Sequence, residues 1–250
     1  MQNRTKLQDL HSKPVTEMIP ELLQHLDPIQ SVTFVLYKPA PAFSERLRKI
    51  SDPHTELHKK ADQLNREYGI PFWDALLSME MKSGVLPKEY VELAILHDSH
   101  PDERSIELAR EEVSGEKLSA MIAEAGTKYG IAMSSRVRLR NDEWAHIPML
   151  DFRCEVSERN RDVVKWALAA LGQRAGAIVD SGRSFHFYGF NLLKVPEWIR
   201  FVSLASLFSP VVDGRYLAHR LADGACRLRI TEAPRKVAAP KVLEVFHDDM

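Results

Sequence analysis

Three short stretches of this 250-residue chain carry residue types that could do chemistry together. Ser184-Phe-His186 follows the turn signal Asp180-Ser-Gly-Arg183 and opens an alternating aromatic run, with Ser184, His186 and Tyr188 set to one side and Phe185 and Phe187 to the other. Asp151 stands alone in the apolar run Ile147-Pro-Met-Leu-Asp-Phe152, where a carboxylate is costly unless it is paired or binds a metal. Asp213 follows Pro210-Val-Val and precedes Gly214-Arg215. Each has a plain structural alternative: a hydrogen-bonding histidine, an ion pair of Asp151 with Arg153 or Arg183, and a helix cap at Asp213. Taken together they suit a different task. Asp151 and Asp213 could hold a Mg²⁺ or Mn²⁺ that also takes phosphate oxygens. Arg183, Ser184 and His186 could bind the phosphates through charge and donors, with Arg215 close by in sequence. That is equipment for phosphoryl or nucleotidyl transfer.

The elements that would position these residues are an α+β set. From 147 to 231 the order reads strand, helix, strand, strand, helix, strand, with a short helix before the last strand. This is the split βαβ arrangement of ferredoxin-like and RNA-recognition-type folds. Within it, Ser157 is placed to cap a helix over 158–171 that Gly172 ends. Strands are expected at 131–140, 146–154, 175–179, 184–189, 226–231 and 242–246, and a helix over 196–208. Upstream, a helix over 15–26 and a strand over 31–37 precede a helical period to about residue 126. Helices are expected there at 42–50, 54–67, 71–82, 87–96, 102–112 and 115–126, with Pro53, Pro71, Pro87 and Pro101 near their first turns. The chain is thereby expected to divide into a mostly helical region over 1–129 and a catalytic lobe over 130–250.

Composition excludes several classes. Hydrophobic residues at 44% and charged residues at 28% are ordinary for a globular protein, and no run approaches the ~18–20 apolar residues of a membrane helix. The polar N-terminus lacks an apolar signal core, and two cysteines, Cys154 and Cys226, fit a reducing cytoplasm rather than a disulfide or zinc framework. Seven acids crowd residues 97–116, whereas residues 181–236 carry nine Lys or Arg against four acids. Such asymmetry suits a protein that holds a polyanion locally, and equally a mixed solvated surface. Arg136-Val-Arg-Leu-Arg140 adds a strand with one cationic face. His54 and His58, with Asp52 nearby, read as a solvated helix face, and His97-Asp98-Ser99-His100 as a polar loop; no nucleophile elbow suggests a hydrolase.

The three stretches resemble motifs I, II and III of the archaeo-eukaryotic primase superfamily: Leu150-Asp-Phe152, Ser184-Phe-His186, and Val212-Asp213 followed by Arg215 and the strand Leu228-Arg-Ile230. The resemblance covers about residues 130–235. It implies a primase or primase-polymerase with an RNA-recognition-like catalytic lobe, acting on a nucleoside triphosphate and a DNA or RNA strand. Asp151 and Asp213 would bind metal, Arg183, Ser184, His186 and Arg215 the nucleotide, and Arg136, Arg138, Arg140 and Arg229 the strand. Motif I of the superfamily usually reads Asp-x-Asp; here Met149 and Arg153 flank a lone Asp151, as in a single-aspartate branch. Arg153 either replaces the charge of a metal or neutralises Asp151 in an inactive nucleotide-binding module. That alternative would work within a larger assembly, with a helicase or nuclease as partner.

Overall fold

The computed structural model describes residues 10–38, 55–83, 88, 103–233, 236 and 238–247. In chain order its elements are α1 (Val15–His25), β1 (Ile29–Tyr37), α2 (Thr55–Tyr68), α3 (Phe72–Ser83), β2 (Arg104–Ala109), α4 (Gly115–Ala125), β3 (Gly130–Leu139), β4 (Trp144–His146) and β5 (Met149–Asp151). They continue as α5 (Glu158–Ala170), β6 (Ala175–Asp180), β7 (Phe185–Gly189), β8 (Leu193–Lys194), α6 (Val195–Ala205), α7 (Gly214–Asp223), β9 (Arg227–Arg229) and β10 (Lys241–His247). Antiparallel sheets with flanking helices make this an α+β protein. The helices expected at 42–50 and, but for Lys88, at 87–96 lie outside the described residues, as do Asp52, His54 and residues 97–100.

The chain divides into two compact units, but not at residue 130: Met1–Pro39 joins His100–Met250, and Ala40–Ser99 stands as a second unit. In the second, α2 and α3 pack Ala61, Ala75 and Leu76 against Leu57, Leu64, Phe72, Trp73 and Met79. His58 belongs to this packing, 8% exposed and 6.4 Å from the Phe72 ring, and not to a solvated face.

The first unit is built on two sheets. The larger runs β2-β1-β3-β4-β8, with β9 also paired to β3. The expected helix over 102–112 is, at its centre, the edge strand of this sheet: β2 pairs antiparallel with β1 from Ser31↔Ala109 to Leu36↔Arg104, and a 3-10 turn follows at Arg110–Glu112. Ile106 and Leu108 turn inward while Ser105 and Glu107 stay exposed, so period two prevails over the acidic, helix-like composition. In the core of this unit α1 buries Met18, Ile19, Leu22 and Leu23, the stripe that its 3.6-residue period predicts.

The smaller sheet runs β10-β6-β7-β5. Here β7 lies between β5 and β6 and is antiparallel to each, so the crossover through α5 joins two strands separated by a third, as expected of a split βαβ unit. Ser157 caps α5 by accepting from Asn160 N. Two departures follow. The strand expected over 146–154 is broken at Ile147-Pro148, where the chain leaves β4 of one sheet and enters β5 of the other. Proline offers no N–H to continue a ladder. Secondly, β9 does not close the small sheet beside β5. It pairs with β3 through Ala132↔Arg229, Met133↔Leu228 and Ser134↔Arg227, while β10 fills the opposite edge beside β6.

Candidate active site

The centre of the small sheet brings motifs I and II together by register. Met149, Leu150 and Asp151 face Tyr188, Phe187 and His186 across the β5–β7 ladder. All five residues of β7 are buried, so the polar side of this strand is covered and does not open to solvent as its alternation suggested. His186 Nε2 lies 3.6 Å from Asp151 Oδ1. The His186 side chain is 4% exposed, whereas that of Asp151 keeps 27%. Among the described residues neither Arg153 nor Arg183 forms an ion pair with Asp151.

Asp213 is held beside Asp151 by backbone contacts. Phe152 and Val212 form an antiparallel bridge, Arg153 N donates to Val211 O at 2.8 Å, and Asp213 N donates to Asp151 O at 3.2 Å. Asp213 is also the N-cap of α7: its Oδ1 accepts from Arg215 N and Tyr216 N, each at 3.0 Å. The cap and a metal-binding role are compatible, because the cap contacts engage one carboxylate oxygen.

Electrostatics separate the two members of the Asp–His contact. Burial pushes Asp151 up to about 7, with Asp213 adding to the rise and Lys236 and Arg229 opposing it. Burial, seconded by Arg229 and Lys236, pushes His186 down to about 3. Near neutral pH the imidazole is therefore neutral, and the 3.6 Å contact is an approach of a titrating carboxyl to a neutral ring, too long for a hydrogen bond and not a fixed ion pair. Tyr188, fully enclosed on the same strand, is raised above its ordinary range by burial.

The motif II turn is closely braced. Gly182 N donates to Asp180 Oδ1 at 2.6 Å, Ser181 N and Ser181 Oγ donate to Ser184 O at 2.9 and 3.0 Å, and the two serine hydroxyls lie 3.2 Å apart. Gly182 has φ +93°, and Ala238 Cβ would sit 3.3 Å from any Cβ placed on it. Arg183 projects from this turn, exposed, and Ser184 is half-buried. Arg215 gives its backbone N–H to the α7 cap and has a half-buried side chain.

Arg229 differs most from its expected place. It is 7% exposed, and its guanidinium donates to Ser181 O at 2.5 Å, to Ala238 O at 2.8 Å and to Thr231 O. It fastens the motif II turn to the segment after β9 and has no free face for a nucleic-acid strand. Lys236, which sequence reasoning left out, places its charge within range of both Asp151 and His186. Its signal lay in the basic excess of residues 181–236, which does not say which cation comes near the aspartate.

Arg136, Arg138 and Arg140 lie on β3 and its end, in the larger sheet. Arg136 stands over the Trp144 ring at 4.1 Å, Arg138 pairs with Asp142 at 3.1 Å and Arg140 with Asp27 at 3.1 Å. Cys154 and Cys226 are free thiols. Among the described residues no group of three or more His, Cys, Asp or Glu side chains could hold a metal ion, and no helix is long and apolar enough to cross a membrane. Two neighbouring carboxylates fit a hard cation that keeps waters and substrate phosphates as its other ligands, the usual habit of Mg²⁺.

A split βαβ sheet with an aspartate and a histidine in register, and a second aspartate bonded to the first through the backbone, defines a primase-like core. The family model for archaeo-eukaryotic primase 1D-like proteins matches residues 109–241, just over half of the chain, and the chain belongs to this archaeo-eukaryotic primase-like family. No curated protein and no solved structure matches it.

Proposed function

We propose that this chain is a primase/polymerase-type nucleotidyltransferase that binds a nucleoside triphosphate with Mg²⁺ or Mn²⁺ and acts on a DNA or RNA strand. One observation supports the reading: Asp151, opposite His186 in the ladder, accepts through its carbonyl from Asp213 N, so the two motif aspartates are neighbours along the backbone and the charge of Asp213 acts on Asp151. A divalent ion held by Asp151 and Asp213 would supply charge neutralisation at the phosphates and a lowered pKa for the attacking hydroxyl. The chain's own residues do the rest. His186 is enclosed with its Nε2 toward Asp151, so it orients that carboxylate more than it reaches a phosphate. Arg183 and Ser184, on the braced turn, are the accessible phosphate contacts. Arg215, at the start of α7, and the nearby charge of exposed Lys236 add positive potential where the triphosphate would lie.

The second reading is a catalytically inactive nucleotide- or nucleic-acid-binding module working in a larger assembly with a helicase or nuclease. The lone motif I aspartate, with fully buried Met149 on one side of it and Arg153 on the other, favours it. Primer synthesis and extension with labelled nucleotides, in Mg²⁺ and in Mn²⁺, separate the two. Metal-dependent incorporation that disappears in Asp213→Asn establishes the enzyme. Nucleotide or strand binding with no incorporation by the unaltered chain establishes the module.

A further inference from the structure

One face of the larger sheet is packed, and the other is covered over Val35, Ala132 and Ser134 but exposed along β2 and at the β3–β4 end. Val32, Phe34, Leu108, Val137 and Ala145 turn into the core. On the opposite side Ser105, Glu107 and Arg136 are exposed and Arg138 is half-buried. Arg138 and Trp144 are direct partners in the β3–β4 ladder, so their side chains share this face. Trp144 is 38% exposed, with the Arg136 guanidinium 4.1 Å and that of Arg138 5.7 Å from its ring centroid. Two residues along β4, His146 stacks on Trp198 of α6 at 4.3 Å and 14°, which closes one border of the face.

We infer that Trp144 is a stacking platform for a base of single-stranded nucleic acid, with Arg136, Arg138 and Arg140 taking the adjoining phosphates. This rests on the reading that the chain acts on a nucleic-acid strand. A half-exposed indole beside two guanidinium groups at the exposed end of a sheet is the combination that binds single strands, since every base offers a π face and the cations follow the backbone. Acids on or beside this face are already engaged: Asp142 with Arg138, Asp27 with Arg140, and Glu107 with the Ser31 hydroxyl. Both ion pairs are exposed, and such pairs contribute little and exchange readily for phosphate. Arg136, which pairs with no acid among the described residues, together with the exchangeable Arg138 and Arg140, fits a polyanion with accessible bases better than an apolar protein partner.

The test is titration of a labelled oligothymidylate strand, and its RNA counterpart, into the unaltered chain, Trp144→Ala, Trp144→Phe and Arg136→Gln. Trp144→Ala weakens strand binding about tenfold without altering its salt dependence, and Trp144→Phe restores most of the loss. Arg136→Gln lowers the salt slope by about one. Affinity for a nucleoside triphosphate stays the same in Trp144→Ala. Quenching of intrinsic fluorescence on strand binding, among the four tryptophans of the chain, disappears in Trp144→Phe. Unchanged strand affinity in Trp144→Ala overturns the inference, and so does an unaltered chain that binds no strand. Strand binding that depends on Trp144 without nucleotide incorporation leaves the platform in place and removes the catalytic reading.

Discussion

His186 and Asp151 stand opposite each other in the β5–β7 ladder, 3.6 Å apart, with the histidine pushed down to about 3 and the aspartate up to about 7. The aspartate is therefore the group of this pair that titrates near neutrality. Protons compete with a cation for its carboxylate, so affinity for a Mg²⁺–nucleotide rises as pH increases through about 7 and levels off above it. Calorimetric titrations over that range check this, and Asp151→Asn makes the binding weak and independent of pH.

The same pair makes opposite contributions to stability. Asp151 is raised on folding, so its contribution is lost as pH rises from its ordinary 3.8 through about 7. His186 is lowered, so its contribution grows as pH rises from about 3 to its ordinary 6.5. The two slopes oppose each other below about 6.5, leaving the fall from Asp151 between there and about 7. Urea melts at a series of pH values should show Asp151→Asn gaining on the unaltered chain as the medium becomes alkaline.

Asp213 caps α7 and is also a proposed metal ligand, and two substitutions separate these tasks. Asp213→Asn keeps an oxygen for Arg215 N and Tyr216 N but loses the charge. It should melt like the unaltered chain while losing incorporation. Asp213→Ala loses both the charge and the cap, at a cost of about 1 kcal/mol. Thermal melts beside incorporation assays distinguish the two.

Arg229 is expected to matter for folding and not for strand contact. Arg229→Met leaves the carbonyls of Ser181, Thr231 and Ala238 without their donor and should cost about 3 kcal/mol in a denaturant melt. The salt dependence of strand binding by the folded variant should match that of the unaltered chain.

Gly176 of β6 tests the packing beneath the site. A Cβ there would lie 2.6 Å from Tyr188 O and would overlap the Phe187 ring. Gly176→Ala should therefore cost about 2 kcal/mol, read as a lower denaturation midpoint.

The motif strands were legible because their chemistry is local: an aspartate in an apolar run, a turn followed by alternating aromatics, and an aspartate before a helix each have a distinctive pattern. Register then sets Asp151 opposite His186. What escaped the sequence depends on distant partners. Residues 104–109 are rich in charge and helix-compatible, and the unpaired edge of β1 makes them a strand. The expected fourth strand of the split unit is drawn to β3 instead. Burial of Arg229 defies the usual exposure of arginine, and only three converging carbonyls make it tolerable. Trp144 gave no signal of its own, since its meaning comes from the arginines on the neighbouring strand.

The β5–β7 register also makes this site lopsided as a target for redesign. Position 149 faces Tyr188 with no exposure, so Met149→Asp would seal a second negative charge inside an apolar layer. Position 153 is half-buried on the segment bonded to Val211, two residues before Asp213. A two-carboxylate motif I could be retrofitted there with Arg153→Asp while the sheet interior stays intact.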